Sequence, residues 1–176
     1  MPVSLSFGLR RLGRGEWMLA AGSLLLLGDL FGLRWFRFRP GSVGAAVARG
    51  HDVSASGWQS FTLIGPLTVV VCLGGIAVFL LTATRRSPAL PVVLTTLLAP
   101  VSLALVLLMA VRVLLAHPRL GQVRAGGAGL AAPQPGAYIG LALAVAVFTG
   151  AYLALRRDGI AAQDAPATIE TVGLRG

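Results

Sequence analysis

Asp29 is the residue whose type and setting could do chemistry inside a membrane. It interrupts the apolar stretch of residues 17–33. An acid in an apolar helix costs about 2.5 to 3.5 kcal/mol to insert, so a carboxyl kept there has a reason. It is either a proton-coupled or ligand-coordinating group, or a carboxyl that is protonated or paired between packed helices. Arg34 is a poor partner, because five residues along a helix it points about 140° away. Arg112 is the better candidate, since the first and third helices run in the same direction. Their depths differ: at 1.5 Å per residue, Asp29 lies about 18 Å from Trp17 and Arg112 about 36 Å from Pro88. A tilted third helix is needed to bring them together. Asp29 with Arg112 is the candidate intramembrane ion pair or coupling site.

Other chemistries lack their residues. The single cysteine, Cys72, sits in an apolar run. Alone it forms no internal disulfide, CxxC pair or Cys-based zinc site, and it reads as a small hydrophobe. His51 and His117 fall outside the apolar runs, so no haem is clamped between membrane histidines. There is no HExxH, no P-loop and no GxGxxG before a helix. A nucleophile with a base at depth is missing too. No catalytic, metal or cofactor-binding residue and no cofactor is predicted.

The elements that hold Asp29 follow from composition. Of 176 residues 56% are hydrophobic and 12% charged, and mean hydropathy is +0.81. A soluble domain carries about 25% charged residues, so this is an integral membrane protein and most soluble enzyme folds are excluded. All basic residues are Arg, and the net charge is +9. They cluster beside apolar stretches, which points to anionic lipid headgroups and away from nucleic acid.

A spanning helix needs about 20 mostly apolar residues. The charge-free runs 53–84, 87–111 and 125–155 satisfy this, and the stretch broken by Asp29 is a fourth candidate. The predicted fold class is all-α: a polytopic membrane protein with four transmembrane helices in an up-down bundle. The helices are placed at residues 17–33, 61–84, 88–115 and 137–155. External loops fall at 34–60 and 116–136. A basic cytoplasmic N-terminus covers 1–16, and a cytoplasmic tail at 157–176 is expected to be disordered. The first segment has the basic start and apolar stretch of a signal peptide. Its small-x-small candidate, Ala46-Val47-Ala48, lies well past the apolar end, so a retained helix is expected. Pro100 falls inside the third helix and should kink it. Thr95, Thr96 and Ser102 are expected to bond backbone near that proline.

Trp17, Trp35 and Trp58 lie at predicted helix ends and are read as interface anchors, with Tyr138 and Tyr152 doing the same for the fourth helix. In Arg34-Trp35-Phe36-Arg37-Phe38-Arg39, aromatics at the interface and guanidinium groups on phosphates suggest headgroup binding. Arginines near the membrane divide equally between the two sides. Arg85-Arg86 in the tightest loop and Arg156-Arg157 closing the last helix favour cytoplasmic termini. Gly28 with Gly32, and Gly136 with Gly140, have GxxxG spacing and are candidate helix-packing residues, within the chain or between subunits.

Gly15-Glu16-Trp17, the turn Leu81-Thr82-Ala83-Thr84-Arg85-Arg86-Ser87-Pro88-Ala89-Leu90-Pro91-Val92, Gly136-Ala137-Tyr138-Ile139-Gly140-Leu141 and Leu153-Ala154-Leu155-Arg156-Arg157 together resemble small four-span integral membrane proteins of actinobacteria. The resemblance covers most of the spanning region but not the external loops. It implies the four-span layout and a cytoplasmic N-terminus; it brings no activity and no site residues.

The function expected is that of a non-enzymatic multi-pass protein of the plasma membrane, an accessory or scaffolding subunit of the cell envelope. Its partners would be anionic lipid and either another membrane protein or further copies of itself. One alternative is a small homo-oligomeric proton-coupled transporter using Asp29. Another is a sensor or binding module using the loop 34–60, which is expected to be loosely ordered.

Overall fold

The first apolar stretch folds as α1, Arg14–Gly32. Glu16 in its first turn suits the positive end of the helix dipole. The chain turns extended at Leu33, whose N–H still donates to the Asp29 carbonyl. The computed structural model describes residues 12–38, 54–84, 89–115, 119–120 and 129–163. After α1 come β1 (Arg34–Phe38), β2 (Ser54–Ser56) and the short α2 (Gly57–Ser60). These are followed by α3 (Ile64–Thr84), α4 (Ala89–Ala110) with a π-helical turn at Val111–Leu115, β3 (Arg119–Leu120), β4 (Gly129–Pro133) and α5 (Pro135–Gln163).

The four long helices form a ring in which α1 packs on α3 and α5, and α4 packs on the same two. Gly15 of α1 lies against Ala154 of α5, Gly22 against Val147, and Gly136 against Leu33, so α1 and α5 are antiparallel. Trp17 stacks edge-on against Phe79, which places the start of α1 beside the far end of α3. The closest approach is between α1 and α5. Along α5 the buried positions Ala137, Gly140, Ala144, Val147, Ala151 and Ala154 recur every three or four residues. They face Gly15, Leu19, Gly22, Leu26 and Asp29, which recur in the same way on α1. Small side chains at such a seam let two backbones approach closely. At Gly150 even a Cβ would come within 2.6 Å of the Leu19 backbone nitrogen.

Outward, the four long helices present large apolar side chains: Leu24 and Leu25, Val70 and Leu73, Leu97 and Leu107, Ile139 and Val145. Among the described residues, three helical stretches are long and apolar enough, by length and composition, to cross a membrane: Ile64–Thr84, Val93–Leu115 and Pro135–Arg157. The expected fourth, α1, is not among them, because Glu16 and Asp29 dilute its apolar run.

The all-α expectation is corrected at one end of the ring. Segments expected to be loops pair into a four-stranded antiparallel sheet ordered β2-β1-β4-β3. Its register slips between Arg34 and Phe36. Such a bulge reaims side chains, and Trp35 and Phe36, though consecutive, are both fully buried while Arg34 and Arg37 are exposed. Pairing satisfies the backbone groups that face a neighbouring strand in these extended segments. A capping box starts α2: Ser56 Oγ accepts from the Gln59 N–H, and the Ser56 N–H donates to Gln59 Oε1 at 3.3 Å.

Boundaries shift as well. α1 starts at 14, before the expected 17, and α3 at 64, after 61. α5 runs from 135 to 163, so residues 157–163 of the expected tail are helical. The rest of that tail, and residues 1–11, lie outside the described residues. α4 passes through Pro100, near which Ser102 Oγ donates to the Ala99 carbonyl at 2.9 Å.

Because the backbones of Gly15 and Leu19 leave no room for a side chain at Gly150, Gly150→Leu should destabilise the bundle by about 2 kcal/mol or more through overpacking. Gly28→Leu, where nothing lies within 4 Å, should leave stability unchanged. Thermal unfolding of both variants in detergent checks this.

Candidate functional site

α1 carries every buried side-chain oxygen that lacks a hydrogen-bond partner among the described residues: Glu16 Oε2, Ser23 Oγ and both carboxylate oxygens of Asp29. All three residues are more than nine-tenths buried. Helical spacing puts them on the inner face of α1 together with Leu19, Leu26 and Leu30, while Leu24, Leu25 and Phe31 turn outward.

Asp29 sits one turn from the end of α1, below the sheet. It packs against Gly140 of α5, where a side chain would collide with Asp29 Oδ2 and with the Trp35 ring. The Trp35 indole N–H donates to the Asp29 backbone carbonyl at 3.3 Å. Trp35 in turn meets Phe61 edge-on at 5.9 Å, and Phe36 meets the same ring at 5.6 Å. Gly57 lies against the Trp35 ring. The carboxyl is thus roofed by an aromatic cluster that the bulge in β1 turns inward.

The proposed partner is not there. Arg112 lies exposed on the π-helical turn after α4, and Asp29 faces α5. In the ring, α1 and α4 occupy opposite corners, so parallel direction does not bring the two side chains together.

The tryptophans divide. Trp17 and Trp58 are about half exposed, as anchors at a membrane interface would be, whereas Trp35 is fully buried. The bulge that turns Trp35 inward also removes it from the headgroup reading of residues 34–39, leaving Arg34 and Arg37 exposed. Phe38 and Arg39 side chains lie outside the described residues. The glycine pairs divide too. Gly136 packs against Leu33 and the Arg34 carbonyl, and Gly140 against Asp29 and Trp35, so this pair packs within the chain. Gly28 and Gly32 face outward with nothing within 4 Å.

At the opposite end from the sheet, Arg157 Nη1 reaches Glu16 Oε1 at 3.3 Å, tying the start of α1 to α5. Sequence reasoning passed over this pair, and over Ser23, Gly15, Gly22 and Gly150. Two signals could have found them: a first-turn acid in a helix whose antiparallel neighbour ends on two arginines, and glycines seven residues apart. Ser23 meets Gly75 of α3, where a side chain would overlap its Oγ.

Where the end of α1 meets the start of α5, an open groove of about 400 Å³ is lined by Gly32, Leu33, Arg34, Gln134, Gly136 and Ile139, among others. Among the described residues no group of three His, Cys, Asp or Glu could hold a metal ion.

No family model matches the chain, and no curated protein or solved structure does either. The functional reading therefore stands on the side chains.

The Glu16–Arg157 pair makes an asymmetric prediction. Arg157 is more than half exposed and Glu16 is buried. Removing the acid forfeits a partly screened pair worth about 1 kcal/mol or less. Removing the arginine leaves a buried carboxylate without its counter-charge. Arg157→Gln should lower the unfolding midpoint in detergent more than Glu16→Gln does, and the double variant should match Glu16→Gln.

Proposed function

We propose that the chain crosses the plasma membrane four times, with both termini in the cytoplasm, as a non-enzymatic accessory or scaffolding subunit of the cell envelope. On this reading α1 is the fourth span. Its length of 19 residues suffices for a thin crossing, and turning Glu16, Ser23 and Asp29 inward is how a helix with polar residues is tolerated in lipid.

The observation that carries the subunit reading is the outward pair Gly28 and Gly32. Every other glycine of α1 faces a neighbour inside the ring. These two leave a flat strip, flanked by Leu24, Leu25 and Phe31, on the lipid-facing side. A GxxxG strip of that kind fits the close approach of another membrane helix. The anionic headgroups of the bilayer are the partners of the exposed arginines.

A second reading, a homo-oligomeric proton-coupled transporter, is favoured by one observation: the buried Asp29 carboxyl has no hydrogen-bond partner.

Affinity purification in mild detergent tests the subunit reading. A different membrane protein should co-purify at fixed ratio, and Gly28→Leu with Gly32→Leu should release it while the bundle stays folded. A clean homo-oligomer that survives both substitutions would favour the transporter. A reporter fused after residue 176 that reads from the outside would overturn the orientation.

A further inference from the structure

The groove between the end of α1 and the start of α5 changes character along its length. Towards the sheet it is lined by Arg34 and Gln134, and towards the bundle by Gly32 and Ile139. Backbone contacts hold its walls. The Gln134 N–H donates to the Trp35 carbonyl at 2.8 Å, and the Ala137 N–H donates to the Gln134 carbonyl at 3.0 Å. Gly136 lies against the Arg34 carbonyl. A Cβ on Gly32 would meet nothing within 4 Å, so among the described residues no side chain covers that wall.

Depth and charge both bear on what would fill it. Trp58 packs on Phe31, the residue before Gly32, with ring centroids 5.4 Å apart. Tyr138 stands next to Ile139 on α5. Both aromatics are about half exposed. Such rings sit at headgroup level, so the groove lies where lipid phosphates give way to acyl chains. The segments 33–60 and 112–134 join the helices at this end. Together they hold seven arginines and one acid, Asp52. Whichever arginine that acid faces, a large positive surplus remains. The first turn of α5 adds the positive end of a helix dipole.

We propose that this groove binds one anionic phospholipid of the surrounding bilayer. Its phosphate lies against Arg34, Gln134 and the first turn of α5, and an acyl chain runs down past Gly32 and Ile139. Basic pockets between membrane helices hold lipid headgroups in this way, and a guanidinium matches a phosphate in charge and in hydrogen-bonding geometry. The bound lipid fills the space that Gly32 leaves open and bridges the last turn of α1 to the first turn of α5. It borders the outward strip of Gly28 and Gly32, so a docked membrane helix would meet lipid at one edge of its site.

The site rests on α1 crossing the bilayer, as proposed above, and the test separates the two. The full chain in mild detergent is titrated with phosphatidylglycerol and with phosphatidylcholine, and bound lipid is counted by native mass spectrometry. Phosphatidylglycerol should be retained about fivefold more firmly than phosphatidylcholine, the worth of one arginine near an anionic headgroup. Arg34→Gln should abolish that preference. Gly32→Leu, which fills the groove, should weaken retention of both lipids with an unchanged unfolding midpoint. Gly28→Leu and Arg112→Gln, both outside the groove, should hold lipid as the unaltered chain does. Equal retention of the two lipids overturns the proposal. Equal loss in Arg34→Gln and Arg112→Gln also overturns it, since a general field of charge would then be responsible. Displacement of phosphatidylglycerol by inorganic phosphate at equal concentration would mark a free-anion site and overturn the lipid assignment. Chain that resists alkaline extraction from membranes yet retains no lipid overturns the site alone. Chain stripped by alkali overturns the span as well. Gly28→Leu that loses a partner protein but keeps its lipid separates the lipid site from the helix-docking strip.

Discussion

The close contact of α1 with α5 is the constraint on which the rest of the structure depends. Among the described residues α1 is the one long helix without a stretch apolar enough to cross a membrane by composition, and it carries two acids. It is held in the ring because Gly15, Gly22 and Gly150, with the alanines of α5, remove the side chains that would keep the two backbones apart. In lipid no hydrophobic force drives helices together, and such packing supplies the attraction. Once the seam forms, the positions of Glu16 beside Arg157 and of Asp29 beside Gly140 follow from it.

The sheet completes what the helices leave open. Four short strands gather at one end, and the slip in β1 turns two consecutive aromatics inward onto Phe61. Trp35 links the two layers. Its ring lies in the space left by Gly57 and Gly140, and its indole N–H meets the last turn of α1. A smaller residue there would leave a cavity directly over the Asp29 carboxyl.

Much of the helical layout was legible in the sequence. The apolar runs that became α3, α4 and α5 are long and free of charge, so hydropathy alone locates their starts within three residues, although α5 runs eight residues past its expected end at 155. Trp17 and Trp58 were found at helix ends for the same reason. The sheet was not legible. Its strands have two to five residues and are far apart in the chain, and pairing of that kind leaves little periodicity. Ser56 to Gln59 did carry a readable capping signal. The site was half legible. Asp29 stood out because an acid is costly in an apolar run. Arg112 was assigned to it from helix direction alone, and direction does not reveal which corners of a ring are adjacent. Glu16 was hidden by its place at a helix start, where an acid is ordinary. GxxxG spacing identified one pair that packs within the chain and one that faces outward, because spacing does not tell which face of a helix is turned inward.

The central claim is that α1 lies antiparallel against α5 through a seam in which glycines and alanines let the two backbones approach. Cross-linking in intact membranes tests it most directly. In a Cys72→Ser background, Gly22→Cys with Val147→Cys places two thiols where a Cβ on residue 22 comes within 3.7 Å of the Val147 Cα, and a disulfide can span such a gap. The account predicts rapid oxidation to a cross-linked chain for this pair and none for Gly28→Cys with Val147→Cys. Failure of the first pair to link, or equal linking of both, would contradict it.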